Sequence, residues 1–236
     1  MDSTAPIEVS VVIPALNEAG EIGRTLGALL GGRGLEAIVV DGGSDDATVE
    51  IATRGAGVRC LAAPRGRAQQ MNAGVAAARG RILLFLHADS RLPVHAVEAL
   101  AEALDRSGCP GGAFRFALDS PRRRYRVLEW FVAQRVRRFD LPYGDQAIFV
   151  TRDAFERIGG FRELPACEDI DFVRRLRALG PLLHLDTPAV TSARRWERGG
   201  FIRTTLRNWG WLALYTLGAV RPSSSPRTGA ANDPAR

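Results

Sequence analysis

The chain has 236 residues, 46% hydrophobic and 25% charged, which suits one large globular domain or two small ones and excludes wholesale disorder. All 32 basic residues are arginine, set against 26 acids for a net charge of +6, so chemistry that needs a Schiff-base or phosphate-loop lysine is excluded. Three scattered cysteines (Cys60, Cys109, Cys167) with no CxxC pair argue against a disulfide partner or a thiolate zinc site, and for a reducing compartment.

Residues Met1 to Thr4 lack the basic and apolar regions of a signal peptide, and the most apolar run, 209–220, is too short to cross a bilayer. A cytoplasmic protein is expected, associated at most with the inner face of a membrane. Short β-rich runs then alternate with helical stretches. Glu8 to Ile13 reads as a buried strand ended by Pro14, and Gly20 to Leu30 as a helix. Ala37 to Val40 is a second strand, followed by a helix to Arg54 capped by Ser44 or Asp45. Val58 to Leu61 and Arg81 to Leu86 are further strands, with helices over Arg67 to Ala78 and Pro93 to Leu104. Such alternation predicts right-handed crossovers and a mainly parallel sheet, with ligands at the carboxyl ends of the strands.

Beyond residue 110 the pattern changes. Gly112 to Leu118 and Gly144 to Val150 read as strands; Pro121 to Arg138, Asp153 to Ile158, Glu168 to Leu179 and Phe201 to Leu217 as helices. Residues 221–236, rich in Pro, Ser and Gly, read as a disordered tail. Segment 121–138 holds seven arginines against one glutamate, which matches the net charge of the whole chain, so the basicity is local. Two readings stand: a solvated helix face, or a basic amphipathic helix resting on an anionic membrane, with Trp209, Trp211 and Tyr215 beside Arg203 and Arg207 at the same interface. Nucleic-acid binding is not expected, because no platform of interleaved aromatic and basic residues is present.

Polar residues gather where the strands end. Pro14, Leu16, Asn17 and Glu18 follow the first; Asp41, Gly42 and Gly43 the second; Arg65, Arg67, Gln70 and Asn72 the third; His87, Ala88 and Asp89 the fourth. Asn17 or Glu18 serves either ribose hydroxyls or the next helix start, and Asp45 and Asp46 read as acids at a helix N-terminus. The glycines form neither a dinucleotide fingerprint nor a Walker loop.

In their order and spacing these motifs resemble the family 2 glycosyltransferases of GT-A fold, over Val9 to about Gly200. The local match is to a small single-domain bacterial branch labelled as arsenosugar-biosynthesis or carotenoid-glycosylating enzymes. The resemblance implies an α/β, Rossmann-like mixed sheet, mainly parallel, with helices on both faces. It implies one domain over 1–220: a nucleotide-sugar half (7–110), an acceptor half (111–200) and a C-terminal amphipathic helix (201–220). It further implies metal-assisted, inverting sugar transfer from a nucleotide diphosphate, UDP first, to a hydroxyl acceptor, with a lipid or a small molecule as candidates. Pro14, Leu16, Glu18, Asp41, Gly43, Arg67, Gln70, Asn72 and Ala88 would then line the donor, with Arg194 or Arg195 at the diphosphate. Asp89, with His87 where the family has its first metal-motif acid, would hold Mn²⁺ or Mg²⁺. Asp169, in the acid pair with Glu168, would be the general base. Asp145, Gln146 and Trp196 would face the acceptor. Two alternatives stand beside this: a nucleotidyltransferase, which would want basic glycine-rich sequence where Asn17–Glu18 stands, and an inactive nucleotide-sugar-binding or membrane-peripheral protein.

Overall fold

The computed structural model describes residues 7–29, 32, 34–93 and 95–220, with the side chains of Asn208 and Trp209 left out. The expected tail 221–236, and the interfacial role read for Trp209, lie outside the described residues. In chain order the strands are β1 (Val9–Ala15), β2 (Leu35–Asp41), β3 (Val58–Ala62), β4 (Ile82–Phe85), β5 (Ser90–Arg91), β6 (Gly111–Leu118), β7 (Ile148–Thr151) and β8 (Leu183–Thr191). The helices are α1 (Ile22–Leu29), α2 (Thr48–Thr53), α3 (Arg67–Ala77), α4 (Ala96–Ser107), α5 (Arg123–Phe139), α6 (Arg152–Ile158), α7 (Glu168–Arg177), α8 (Arg194–Gly199) and α9 (Phe201–Thr216).

The strands form one sheet in the order β3-β2-β1-β4-β7-β6-β8-β5. β3, β2, β1 and β4 run parallel, as do β6 and β8; β7 is antiparallel to both neighbours. Alternation along each central strand builds two cores. Val11, Ile13, Val39 and Leu84 face Ile22, Leu26 and Leu29 of α1 and Leu100 of α4. Val12, Ile38, Val40 and Leu83 face Met71 and Val75 of α3 and Phe172, Val173 and Leu176 of α7. The central strands β1, β2 and β4 are buried on both faces, as their apolar runs require. α3 lies unusually close to it: a Cβ on Gly74 would stand 2.4 Å from Val12. A third cluster, Phe116, Leu118, Tyr125, Ala193 and Trp196, roots α5 and α8 beyond the sheet.

Four sequence expectations need correction here. Pro14 does not end β1; it lies within the strand, opposite Val40. β1 pairs with β4 only from Val9 to Val12, so beyond that point it has a partner on one side, where proline is tolerated. Ser44 and Asp45 do not cap α2, whose N-cap Ala47 makes no side-chain bond. The hydroxyl of Ser44 donates to Asp41, and the Asp45 N–H donates to Asn17, so both stitch loops together. The acceptor-side strand begins only at Ile148, after a 3-10 turn over Gly144–Gln146. The sequence does not predict β8: Pro188 and the polar His184 and Asp186 break its apolar pattern, and the ladder with β6 shifts register at Phe114/Arg115, which leaves Asp186 and Thr187 outside the pairing.

Candidate active site

The carboxyl ends of β1 and β4 open into a cleft of about 250 Å³. Pro14, Leu16 and Glu18 line one side, His87, Ala88 and Asp89 another, and Arg67, Gln70 and Arg195 close it. The loops are pinned from behind. The Glu18 N–H donates to Thr48, the Ala19 N–H to Asp46 and the Asn17 N–H to Ser44. Thr25 donates its hydroxyl to the Ala88 carbonyl at 2.8 Å, which fixes the His87–Asp89 turn on α1.

Arg194 binds Glu18 closely and reaches Asp89 at 3.5 Å, so one guanidinium joins two carboxylates across the cleft. Burial raises the Glu18 pKa and Asp89 adds to this, against the pull of Arg194. Arg195 has no ion pair or hydrogen bond among the described residues, yet it faces the same space. His87 is held neutral: burial comes first, then Arg67 and Arg195, and together they bring its pKa well below the usual imidazole value.

Arg67 carries the site into the second half of the chain. It borders the cleft and also a small pocket that holds Glu168, Asp169, His87 and Gly144. Its Nε lies 2.6 Å from Glu168 Oε1. Burial raises the Glu168 pKa, Arg67 opposes this, and Asp169 adds to it. Asp169 is oriented by two backbone donors, Gly144 N–H to Oδ2 at 2.7 Å and Ile170 N–H to Oδ1 at 2.9 Å. A Cβ on Gly144 would stand 3.0 Å from Asp169 Oδ2 and 3.1 Å from His87 Nε2, so both atoms border one point on the glycine backbone. The left-handed Cys167 (φ 66°) turns the chain into α7 and sets this acid pair at the helix start. Burial, with Asp169 and Glu168 beside it, pushes the Cys167 thiol up to about 11.

Asp145 is the acid that sequence reasoning could place but not characterise. Its Oδ1 is sealed from solvent without a partner among the described residues. Burial pushes its carboxyl up to about 6, opposed by Arg135 and helped by Asp169. The hydroxyl of the neighbouring Tyr143 is likewise buried and unpartnered, with the Arg135 guanidinium 3.3 Å from the centre of its ring.

Several expected site residues point elsewhere. The Gln70 amide borders the cleft, but its Nε2 donates to the Ala15 and Val40 carbonyls and ties the ends of β1 and β2 together. Asn72 faces away, donating to the Phe161 carbonyl and accepting from the Phe161 N–H. Gln146 is buried, with its Oε1 receiving Arg135 and its Nε2 donating to Phe114. Trp196 lies in the third apolar cluster against Phe116, so it offers no stacking face to an acceptor. Asp41 lies beside the cleft, not in its lining: its carboxylate accepts from Gly43 N–H at 2.9 Å and from Ser44. Gly43 itself has φ +89°, the left-handed turn that a glycine permits there. Tyr215 is not free to meet a membrane, since its hydroxyl donates to Asp171 and Arg174 covers its ring.

The donor set for a metal ion is thin. Among the described residues no three His, Cys, Asp or Glu side chains cluster as a site. Asp89 offers one carboxylate beside a neutral imidazole, and Arg194 already neutralises part of it. These side chains do not by themselves make a resident site; Asp89 would hold a divalent ion only together with oxygen ligands from elsewhere.

A doubly covered α/β sheet with a polar cleft at the carboxyl ends of its strands belongs to the class of folds that bind their ligands there. The match to known families narrows it: residues 10–162 fit glycosyl transferase family 2, and the chain belongs to that family. Among solved structures it is similar to S. aureus TarS 1-349 in complex with UDP-GlcNAc, with a TM-score of 0.64 and 16% identity over 78% of this chain and 58% of that one. It is also similar to the mannosyltransferase PcManGT from Pyrobaculum calidifontis in complex with GDP-Man and Mn²⁺, with a TM-score of 0.60 and 24% identity over 79% of this chain and 57% of that one. The chain thus spans under two thirds of either structure. No curated protein sequence matches it.

Proposed function

We propose that this chain transfers a sugar from a nucleotide diphosphate, UDP first, to a hydroxyl acceptor with inversion at the anomeric carbon. One observation carries the reading: Arg67 borders both the cleft that holds Asp89 and the pocket that holds Asp169, so donor and base share one wall. Pro14, Leu16 and Glu18 take the nucleoside, with Asp41 reading the base from beside the cleft. Arg195, which has no partner among the described residues, takes the diphosphate in preference to Arg194. Asp89 would hold Mg²⁺ or Mn²⁺, which when bound neutralises charge on the leaving diphosphate. Asp169 accepts the acceptor's hydroxyl proton as the acceptor oxygen bonds to the anomeric carbon. The bond from that carbon to the β-phosphate oxygen breaks, and its electron pair leaves with the nucleoside diphosphate. Asp145 is the acceptor-side acid.

We read residues 7–110 as the donor half and 111–200 as the acceptor half of one domain, in the small arsenosugar- or carotenoid-type branch that the motifs suggest. The second proposal is peripheral membrane contact through α5. Val127, Trp130 and Phe131 are 54%, 57% and 55% exposed, at helical spacing on one face. Of the seven arginines around them, Arg122, Arg124, Arg126 and Arg135 are engaged within the protein, whereas Arg123, Arg137 and Arg138 have no partner among the described residues.

The test of the reaction is release of nucleoside diphosphate from a panel of nucleotide sugars, with and without Mn²⁺. Asp169→Asn is expected to keep donor affinity and lose ~10²–10⁴ in turnover. Unchanged turnover removes Asp169 from the role of base, and no release under any metal favours a binding protein without activity.

A further inference from the structure

A second hollow adjoins the donor cleft and exceeds it in volume. A trough of about 560 Å³ runs outward from Arg65, Gly66 and Arg67, which it shares with the cleft, to Arg207 and Trp211 on α9. That volume suits a drug-sized ligand. Because Arg67 and Glu168 border it, its inner end reaches the proposed base pocket.

Its lining is chemically lopsided. Three guanidiniums (Arg65, Arg67, Arg207) face two carboxylates, Glu163 and Glu168. Arg67 is paired with Glu168, and Glu163 takes a hydrogen bond from Gln69. Arg65 and Arg207 have no ion pair among the described residues, so one positive charge is uncompensated. The rest of the lining is largely apolar: Leu164, Pro165, Ala166 and Trp211, the last 39% exposed. A large indole left part-exposed beside free guanidiniums is the composition of a binding surface.

α9 is held in place to form this wall. Tyr215 donates to Asp171 on α7 at 3.3 Å, and Asp171 is itself braced by Arg175 at 2.7 Å. The face bearing Arg207 and Trp211 is therefore presented to the trough by a docked helix.

We propose that the trough is the acceptor site and that it takes a singly anionic amphiphile bearing a hydroxyl. Its carboxylate or phosphate sits on Arg207 and Arg65, its apolar body lies between Trp211 and the 164–166 wall, and its hydroxyl points inward past Arg67. This rests on the glycosyl-transfer reading above and names its substrate class.

The test is calorimetric titration of the full chain with ω-hydroxyoctanoate and with its neutral counterpart, octanediol. The hydroxy acid is expected to bind about tenfold more tightly than the diol, as one charge-assisted contact provides. Arg207→Gln is expected to erase that preference, and Trp211→Ala to weaken both ligands. A UDP titration of each variant confirms that it is folded. If the two alcohols bind alike, or not at all, or if the preference survives Arg207→Gln, the proposal falls. If UDP fails to bind the wild-type chain, the donor reading falls instead, and the alcohol comparison still stands on its own. Displacement of the hydroxy acid by phosphatidylglycerol vesicles, but not by phosphatidylcholine vesicles, marks a lipid headgroup as the natural source of the anion. Displacement by neither marks a free acid.

Discussion

At the scale of single residues, the site is organised by which polar atoms are already satisfied. Asp41, Gln70, Asn72 and Gln146 all have partners within the fold, while Arg195, His87 Nε2 and Asp145 Oδ1 have none among the described residues. Asp145 supplies a pH test. Its carboxyl is pushed up to about 6 when folded, against about 3.9 for an unperturbed aspartate. The folded state therefore binds the proton more tightly, and stability is lost as pH rises between those two values. Asp145→Asn removes the buried charge, so the variant is expected to be the more stable of the two above about pH 6, by on the order of 1 kcal/mol. The gap should close toward about pH 4. Unfolding at both pH values measures it; a difference that does not vary with pH contradicts the burial argument. The strand-end acids were legible in the sequence because each interrupts an apolar run at its end. The direction of Asn72 or Trp196 was not, because spacing on a helix says nothing about which neighbour supplies a backbone carbonyl or an aromatic wall.

At the scale of elements, α3 is the organiser. Its first residue, Arg67, serves the site; Gln70 ties two strand ends; Asn72 grips Phe161; and Gly74 lets the helix sit on the sheet. Phe161 stacks on Phe172 at 4.0 Å, so the grip on its backbone also positions the segment that leads into α7. Asn72→Ala leaves a buried N–H and C=O without partners and is expected to cost about 1–3 kcal/mol of stability. Thermal unfolding checks this. Unchanged stability with weakened nucleotide affinity would return Asn72 to the donor-binding role that its motif suggests. The first half's strands and helices were readable from their periodicity. β8 was not, because half of its residues are polar or proline and its place is decided by pairing with β6. The two-residue β5 is likewise a product of pairing alone.

At the scale of the whole molecule, a cluster of charge and exposed apolar surface coincide on one helix, α5. Sedimentation with vesicles tests what they meet. Vesicles containing phosphatidylglycerol are expected to retain the chain and phosphatidylcholine vesicles are not, and Trp130→Ser with Phe131→Ser should reduce retention about tenfold or more. Equal retention by both lipids, or none lost in the double variant, leaves α5 as a solvated face. Among the described residues no helix is long and apolar enough to cross a membrane. The place of β7 has a further consequence. It follows residue 110 in the chain, in the half proposed above to bind the acceptor, yet it fills the gap between β4 and β6 and joins both by hydrogen bonds. A chimera with a relative, spliced near residue 110, would therefore carry a foreign seam through the middle of its sheet. Splicing after Gly200 keeps every described strand and the arginines of α8 native and exchanges α9, which makes that the natural junction for testing the proposed acceptor wall.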